Sequence, residues 1–77
     1  MTERIEHILS EIRPEFDFRV SANFIADGML DSFDVVTLVS ELERAFAVSI
    51  DGTEIVPENF TNLDAIEALL KSHGVTR

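Results

Sequence analysis

Apolar side chains recur at helical spacing at the start of the chain and lose that spacing after Pro14. The spacing predicts a first helix from about Glu3 to Arg13, with Thr2 as its N-cap. Its apolar positions are Ile5, Ile8, Leu9 and Ile12. From Pro14 to Leu30 the pattern is that of a long loop, and such loops in small domains are often functional or held by buried side chains. The expected buried anchors are Phe18, Phe24 and Leu30.

The strongest periodicity in the chain follows this loop. Apolar residues at i, i+3, i+4, i+7 and i+11 predict a second helix that begins at Asp31 or Ser32 and continues to about Ala47. The residues on this face are Val35, Leu38, Val39, Leu42 and Phe46. Asp and Ser are both good N-caps, and Asp34 lies near the positive end of the helix dipole.

Two further segments complete the helical pattern. A brief helical turn is expected around Pro57 to Phe60, followed by a last helix from about Asn62 to Ser72. Thr61 is its expected N-cap, with Asp64 in the capping-box position and Gly74 just past the end. The apolar stripe of this helix is Leu63, Ile66, Leu69 and Leu70.

These elements predict one all-α domain over residues 1–77, with no internal repeat. The architecture is a small four-helix bundle of three longer helices and one short helix, with a long loop between helices 1 and 2. There is no cysteine to form a disulfide or a thiolate metal site, so stability must come from packing of the 45% of residues that are hydrophobic. The expected core is Val35, Leu38, Val39, Leu42, Ile66 and Leu69.

The charge balance narrows the range of partners. Fifteen acidic and six basic residues give a net charge of -9, which repels nucleic acid and anionic membranes and attracts basic protein surfaces. No apolar run approaches the ~18 residues of a membrane span, and no signal-peptide pattern opens the sequence. A cytoplasmic monomer is the expectation.

The second helix carries apolar residues on its outer face as well as on its core face. At about 100° per residue, the outer positions lie within about 60° of Phe33. They are Phe33, Val36, Thr37, Ser40 and Arg44. Asp34 and Glu41 flank this strip on one side and Glu43 on the other, and an apolar patch with a charged rim is typical of a docking surface. The alternative is that the preceding loop folds over Phe33 and buries it.

Ser32 stands at the start of that helix, where two interpretations are open. It is either an ordinary N-cap or a hydroxyl that carries a phosphate, because unpaired backbone N–H groups at a helix start favour phosphate. Without cysteine the chain cannot form a thioester by itself. A thiol attached through a phosphate at Ser32 would supply the missing nucleophile.

These features together resemble the acyl carrier protein family. The resemblance rests on an acidic domain of this length in which Asp-Ser and an apolar residue open the second helix, and it covers essentially the whole chain. It implies that Ser32 receives 4'-phosphopantetheine from a dedicated transferase acting on coenzyme A. Asp31 precedes that serine, and Phe33 replaces the family's usual Leu. The implied function is a carrier, not an enzyme, which holds an acyl or aminoacyl group as a thioester.

The resemblance also implies a set of partners. They are a phosphopantetheinyl transferase, an acyl- or aminoacyl-loading ligase or acyltransferase, and downstream biosynthetic enzymes. Asp31 is expected to help the transferase by binding near its metal or its basic residues. Apolar contacts, together with carboxylates that meet Lys or Arg, define the expected interface. Its residues are Phe33, Asp34, Val36, Thr37, Ser40, Glu41 and Glu43.

The motif departs from that of fatty-acid synthase carriers. Those carriers have Gly two residues before the Asp, whereas here Gly28 lies three before Asp31, and Thr37 and Arg44 stand on a face where that group commonly has Glu. The Gly-x-Leu-Asp-Ser spacing is more similar to discrete carriers, including the D-alanyl carrier proteins.

Other functions fit the sequence less well. His7 and His73 are expected to be surface residues, and no serine or carboxylate pattern around them marks a triad or a metal site. A calcium loop starting at Asp27 fails, because Ser32 stands at its Gly position and Leu38 at its Glu position. The main alternative is an acidic helical interaction module without a prosthetic group, in which Ser32 is only a cap.

Overall fold

The computed structural model describes residues 1–76, and within that range all regular structure is helical. Three α-helices are present: α1 (Thr2–Ile12), α2 (Ser32–Phe46) and α3 (Leu63–Ser72). Two short 3₁₀ helices, Gly52–Glu54 and Pro57–Phe60, lie between α2 and α3. The four-helix prediction is therefore correct only in part, because the short fourth helix is a 3₁₀ turn and a second such turn precedes it.

The predicted core is confirmed. All six expected core residues are buried, and so are the three expected loop anchors. Further buried residues come from α1 and α3 and from the segments between helices; they include Ile5, Ile8, Leu9, Met29, Ile50, Phe60 and Leu70. Phe46 is only partly buried, with the Arg4 guanidinium 4.3 Å from the centre of its ring.

Phe24 holds the long loop in place. Its ring is fully buried and packs edge-on against Phe18, with centroids 5.0 Å apart. Its backbone N–H donates to the Thr61 carbonyl, and its own carbonyl accepts from the N–H groups of Met29 and Leu30 at 2.9 and 3.2 Å. The loop that leads into α2 is thus held by the buried pair of Phe18 and Phe24, by hydrogen bonds within the loop and by one to the chain ahead of α3.

Two predicted N-caps are wrong. Met1 occupies the N-cap position of α1, and Thr2 lies inside the helix, where its hydroxyl donates to the Glu67 carboxylate. At α3 the cap is Asn62, whose Oδ1 accepts from the Ala65 N–H at 2.8 Å.

The correction at α3 has a backbone cause. Thr61 is the C-cap of the second 3₁₀ helix and has helical dihedrals, whereas Asn62 has the extended backbone that an N-cap requires. With the cap at Asn62, Asp64 is no longer in the capping-box position. Gly74 follows the helix as predicted and has a φ of 88°, which favours glycine.

Over residues 1–76, no helix combines the length and the apolar character that crossing a membrane requires.

Candidate functional site

The start of α2 is built by a reciprocal pair of carboxylates. Asp31 is the N-cap, with an extended backbone, and its Oδ1 accepts from the Asp34 N–H at 2.8 Å. Asp34 Oδ2 accepts in return from the Asp31 N–H at 3.2 Å. This capping box gives hydrogen-bond partners to two backbone N–H groups at the start of α2 that have no carbonyl partner within the helix. Of the two predicted starting residues, Asp31 is therefore the cap and Ser32 is the first residue of the helix.

Ser32 is exposed and takes no part in the capping box. Its hydroxyl lies beside the first turn of a 15-residue helix, where backbone N–H groups and the helix dipole favour negative charge. A phosphate ester at this oxygen would meet solvent on one side and the helix start on the other. The residues present thus fit the attachment of a phosphopantetheine group.

An apolar groove of about 280 Å³ runs beside Ser32. It is open to solvent, and most of its lining is aliphatic. The lining comes from the loop, from α2 and from the segment before the second 3₁₀ helix: Ile25, Leu30, Val35, Val36, Ile55 and Val56. A flexible arm attached to Ser32 could lie along this groove. The contributions of Ile55 and Val56 were not expected from the sequence, because neither stands at a helical repeat.

The outer strip of α2 is exposed, as the helical spacing predicts. The side chains of Phe33 and Val36 are 76% and 59% exposed, and the preceding loop does not cover Phe33. Ser40 is exposed as well, whereas Thr37 is half-buried and its hydroxyl donates to the Phe33 carbonyl at 3.2 Å. Two adjacent apolar side chains therefore face solvent next to Ser32.

The three carboxylates that flank this strip have different surroundings. Glu41 lies 3.0 Å from Arg44 one turn along the helix. Glu43 accepts from the Ile50 N–H at 2.9 Å and so ties the end of α2 to the linker that follows it. Asp34 is mostly buried within the capping box, so Glu41 is the one among the three that is most available to a partner.

Arg13, at the end of α1, contacts the capping box from outside. Its Nε donates to Asp34 Oδ2 at 2.8 Å, and its Nη2 lies 3.4 Å from Asp31 Oδ2. The pKa of Asp31 is lowered below its ordinary value, mainly because its carboxylate accepts a hydrogen bond from the Asp34 backbone N–H. The positive charge of Arg13 lowers it to a smaller degree. No pattern in the sequence predicts this contact, because Arg13 reaches α2 only through the packing of α1 against it.

The two histidines lie apart from this site. His7 is exposed and 3.6 Å from Glu11. His73 is half-buried, with Nε2 2.9 Å from each carboxylate oxygen of Glu54, so the prediction of a surface position is wrong for it. Its partner is the 3₁₀ turn after α2, which the sequence pattern did not predict. In the part of the chain that the structure describes, no group of three or more His, Cys, Asp and Glu side chains could hold a metal ion.

A comparison with known families agrees with this geometry. The sequence model of the family described as "Phosphopantetheine attachment site" matches residues 3–70, a span that includes all of α2 and the groove. Neither the comparison with curated proteins nor the comparison with solved structures returned a match.

Proposed function

The chain belongs to the phosphopantetheine attachment site family, and we propose that Ser32 is the residue to which its 4'-phosphopantetheine is attached. Members of this family carry that group covalently, so the protein is a phosphopantetheine-bearing carrier. The proposal adds the position of the attachment, the kind of cargo and the surface that partners recognise.

One observation carries the assignment of Ser32. Asp31 caps α2 and Asp34 completes the capping box, so the fold does not need the Ser32 hydroxyl. That hydroxyl is nevertheless exposed at the start of the longest helix, beside an apolar groove. A serine that has no capping role and faces solvent at a helix start is well placed to accept a phosphate.

The attachment step balances as a phosphoryl transfer. The Ser32 oxygen bonds to the phosphorus on the pantetheine side of coenzyme A, and the bond from that phosphorus to the nucleotide half breaks. Adenosine 3',5'-bisphosphate leaves, and the hydroxyl proton passes to a base of the transferase. Asp31 is exposed next to Ser32 and can meet the metal or basic residues of that enzyme.

Once attached, the group supplies a terminal thiol, on which an acyl or aminoacyl cargo is held as a thioester. The chain's own residues hold one end of this tether and present a docking surface. A tether raises the effective concentration of the cargo at each docked enzyme. We place Phe33 and Val36 at the centre of that surface and Glu41 on its rim, where a ligase or acyltransferase and the downstream enzymes would contact it.

The decisive experiment is modification in cells that co-express a broad-specificity phosphopantetheinyl transferase. The intact mass of wild type should rise by one phosphopantetheine, and Ser32→Ala should abolish the rise. Ser40→Ala is a matched control, because Ser40 is an exposed serine on the same helix. Because Ser32 is not the cap, its replacement should move the melting temperature by less than about 2 °C.

Two results would contradict the proposal. One is wild type that stays unmodified under conditions that modify a control carrier, which would favour an interaction module without a prosthetic group. The other is a Ser32→Ala variant that still gains the mass.

A further inference from the structure

Arg13 lies where the end of α1 meets the start of α2. Three of its nitrogens face carboxylates: Nε lies 2.8 Å from Asp34, Nη2 lies 3.4 Å from Asp31, and Nη1 lies 3.3 Å from Glu15. Asp31 and Asp34 enclose Ser32 along the chain. A single guanidinium therefore contacts the carboxylates on both sides of the proposed attachment residue.

We propose that Arg13 is a positioning residue for the phosphopantetheine group. Arg13 balances the negative charge around Ser32, and it thereby holds the start of α2 in place when the phosphate is present. This inference rests on attachment at Ser32.

The charges at this point show why a cation is needed. A phosphodiester on Ser32 would stand with the carboxylates of Asp31 and Asp34, giving three negative charges within four consecutive residues. The positive end of a helix dipole is equivalent to roughly half an elementary charge. That is too little to balance three, in a chain whose net charge is already -9. Arg13 contributes one full positive charge in contact with both of these carboxylates.

The two contacts of Arg13 with the capping box differ in length. The guanidinium is held firmly through Nε by Asp34, whereas its bond to Asp31 is long. The Arg13 side chain is 34% exposed, so the guanidinium is not sealed inside the fold. Because arginine presents several donors in a fixed fork, Nη2 can answer a negative charge added next to Asp31 while Nε keeps its bond to Asp34.

Arg19 provides a matched control. It forms an ion pair with Asp17, with Nε 3.0 Å from Oδ1 and Nη2 3.1 Å from Oδ2, and it lies 3.9 Å from Glu6. These partners belong to the loop and to α1, and none is on α2. Arg19→Gln therefore removes the same charge from an ion pair that does not touch the start of α2.

The test compares melting temperatures of the unmodified and the phosphopantetheine-bearing forms of wild type, Arg13→Gln and Arg19→Gln. Attachment should lower the melting temperature of Arg13→Gln by about 2 to 4 °C more than that of wild type or Arg19→Gln. Arg13→Lys should recover part of this difference, because it keeps the charge but loses the fork. At about 1 M salt, where the screening length falls to about 3 Å, most of the difference should vanish.

A merely structural Arg13 would lower the stability of both forms equally, and an equal change on attachment in Arg13→Gln and Arg19→Gln would overturn the inference. A second measurement uses wild type alone. The guanidinium NMR resonances of Arg13 should shift when Ser32 is modified while those of Arg19 stay in place, and an unchanged Arg13 would also overturn it. These failures differ from a failure of the proposed function, in which the mass gain is absent or survives Ser32→Ala.

Discussion

Phe24 and Phe33 allow one chemical change to be tested in two opposite environments. Phe24 is fully buried in the loop that leads to α2, and its ring packs edge-on against Phe18. Phe33 is 76% exposed, one residue after the proposed attachment site. If the loop anchor serves folding and the exposed ring serves docking, Phe→Ala should damage stability at the first position and partner recognition at the second.

The magnitudes separate the two variants clearly. Removing a buried phenyl ring costs about 3–5 kcal/mol, because the cavity relaxes only in part. A 77-residue domain has a total stability of about 4–12 kcal/mol, so Phe24→Ala should lose between about a quarter and all of that stability. Phe33→Ala should change stability by less than about 0.5 kcal/mol, since little surface is lost from the core and alanine favours helix.

Among molecules that are folded, the loss of partner recognition should be larger for Phe33→Ala than for Phe24→Ala. An apolar residue at the centre of a docking surface contributes about 1–2 kcal/mol, which corresponds to about 5- to 30-fold in kcat/KM with the transferase. Urea unfolding gives the stabilities, and initial rates of mass gain give kcat/KM. The reasoning is refuted if Phe33→Ala loses as much stability as Phe24→Ala, or if it stays folded and reacts with the transferase and the loading enzyme at the wild-type rate.

Three further predictions address the caps, the rim and the acid range. Asn62→Ala should destabilise the protein by about 1 kcal/mol in urea unfolding, whereas Thr61→Ala should cost less than half of that. Glu41→Lys should lower kcat/KM with a partner enzyme and change the melting temperature by less than about 2 °C, because its ion pair with Arg44 is exposed. Glu43→Gln should lower the melting temperature because it weakens a bond to a backbone N–H. The pKa of Asp31 is lowered in the fold, so its ionised form stabilises the native state. That contribution should be lost as the pH falls below about 3.8, and a melting-temperature titration should show a smaller acid loss for Asp31→Asn.

The sequence predicted those features that depend on periodicity. Burial repeats with the helix turn, so the spacing located the three α-helices and the core face of α2, and it left Phe33 and Val36 on the outer face. The spacing did not predict features in which the backbone conformation of one segment depends on the neighbouring segment. The cap of α3 moved from Thr61 to Asn62 because a 3₁₀ helix ends at Phe60 and leaves Thr61 in a helical conformation.

Features of the site that arise from tertiary packing could not be predicted in this way. Arg13 meets Asp34 only because α1 packs on α2, and the sequence separation of 21 residues carries no periodic signal. The same holds for Ile55 and Val56, which line the groove from a segment with no regular repeat. The motif predicts that Ser32 is the attachment residue, whereas the contacts around Ser32 become visible only in the fold.

At the start of α2, the residue that caps the helix, Asp31, and the proposed attachment residue, Ser32, are adjacent but different. If Ser32 were the cap, its oxygen would accept a backbone N–H bond, and esterification would put that bond and the helix start at risk. With Asp31 as the cap and Asp34 closing the box, neither reciprocal bond uses the Ser32 oxygen, so attachment at Ser32, as proposed, would leave both in place. This arrangement places the carboxylates of Asp31 and Asp34 close to the proposed phosphate. Arg13 contacts both carboxylates. We therefore expect wild type to have similar stability before and after modification.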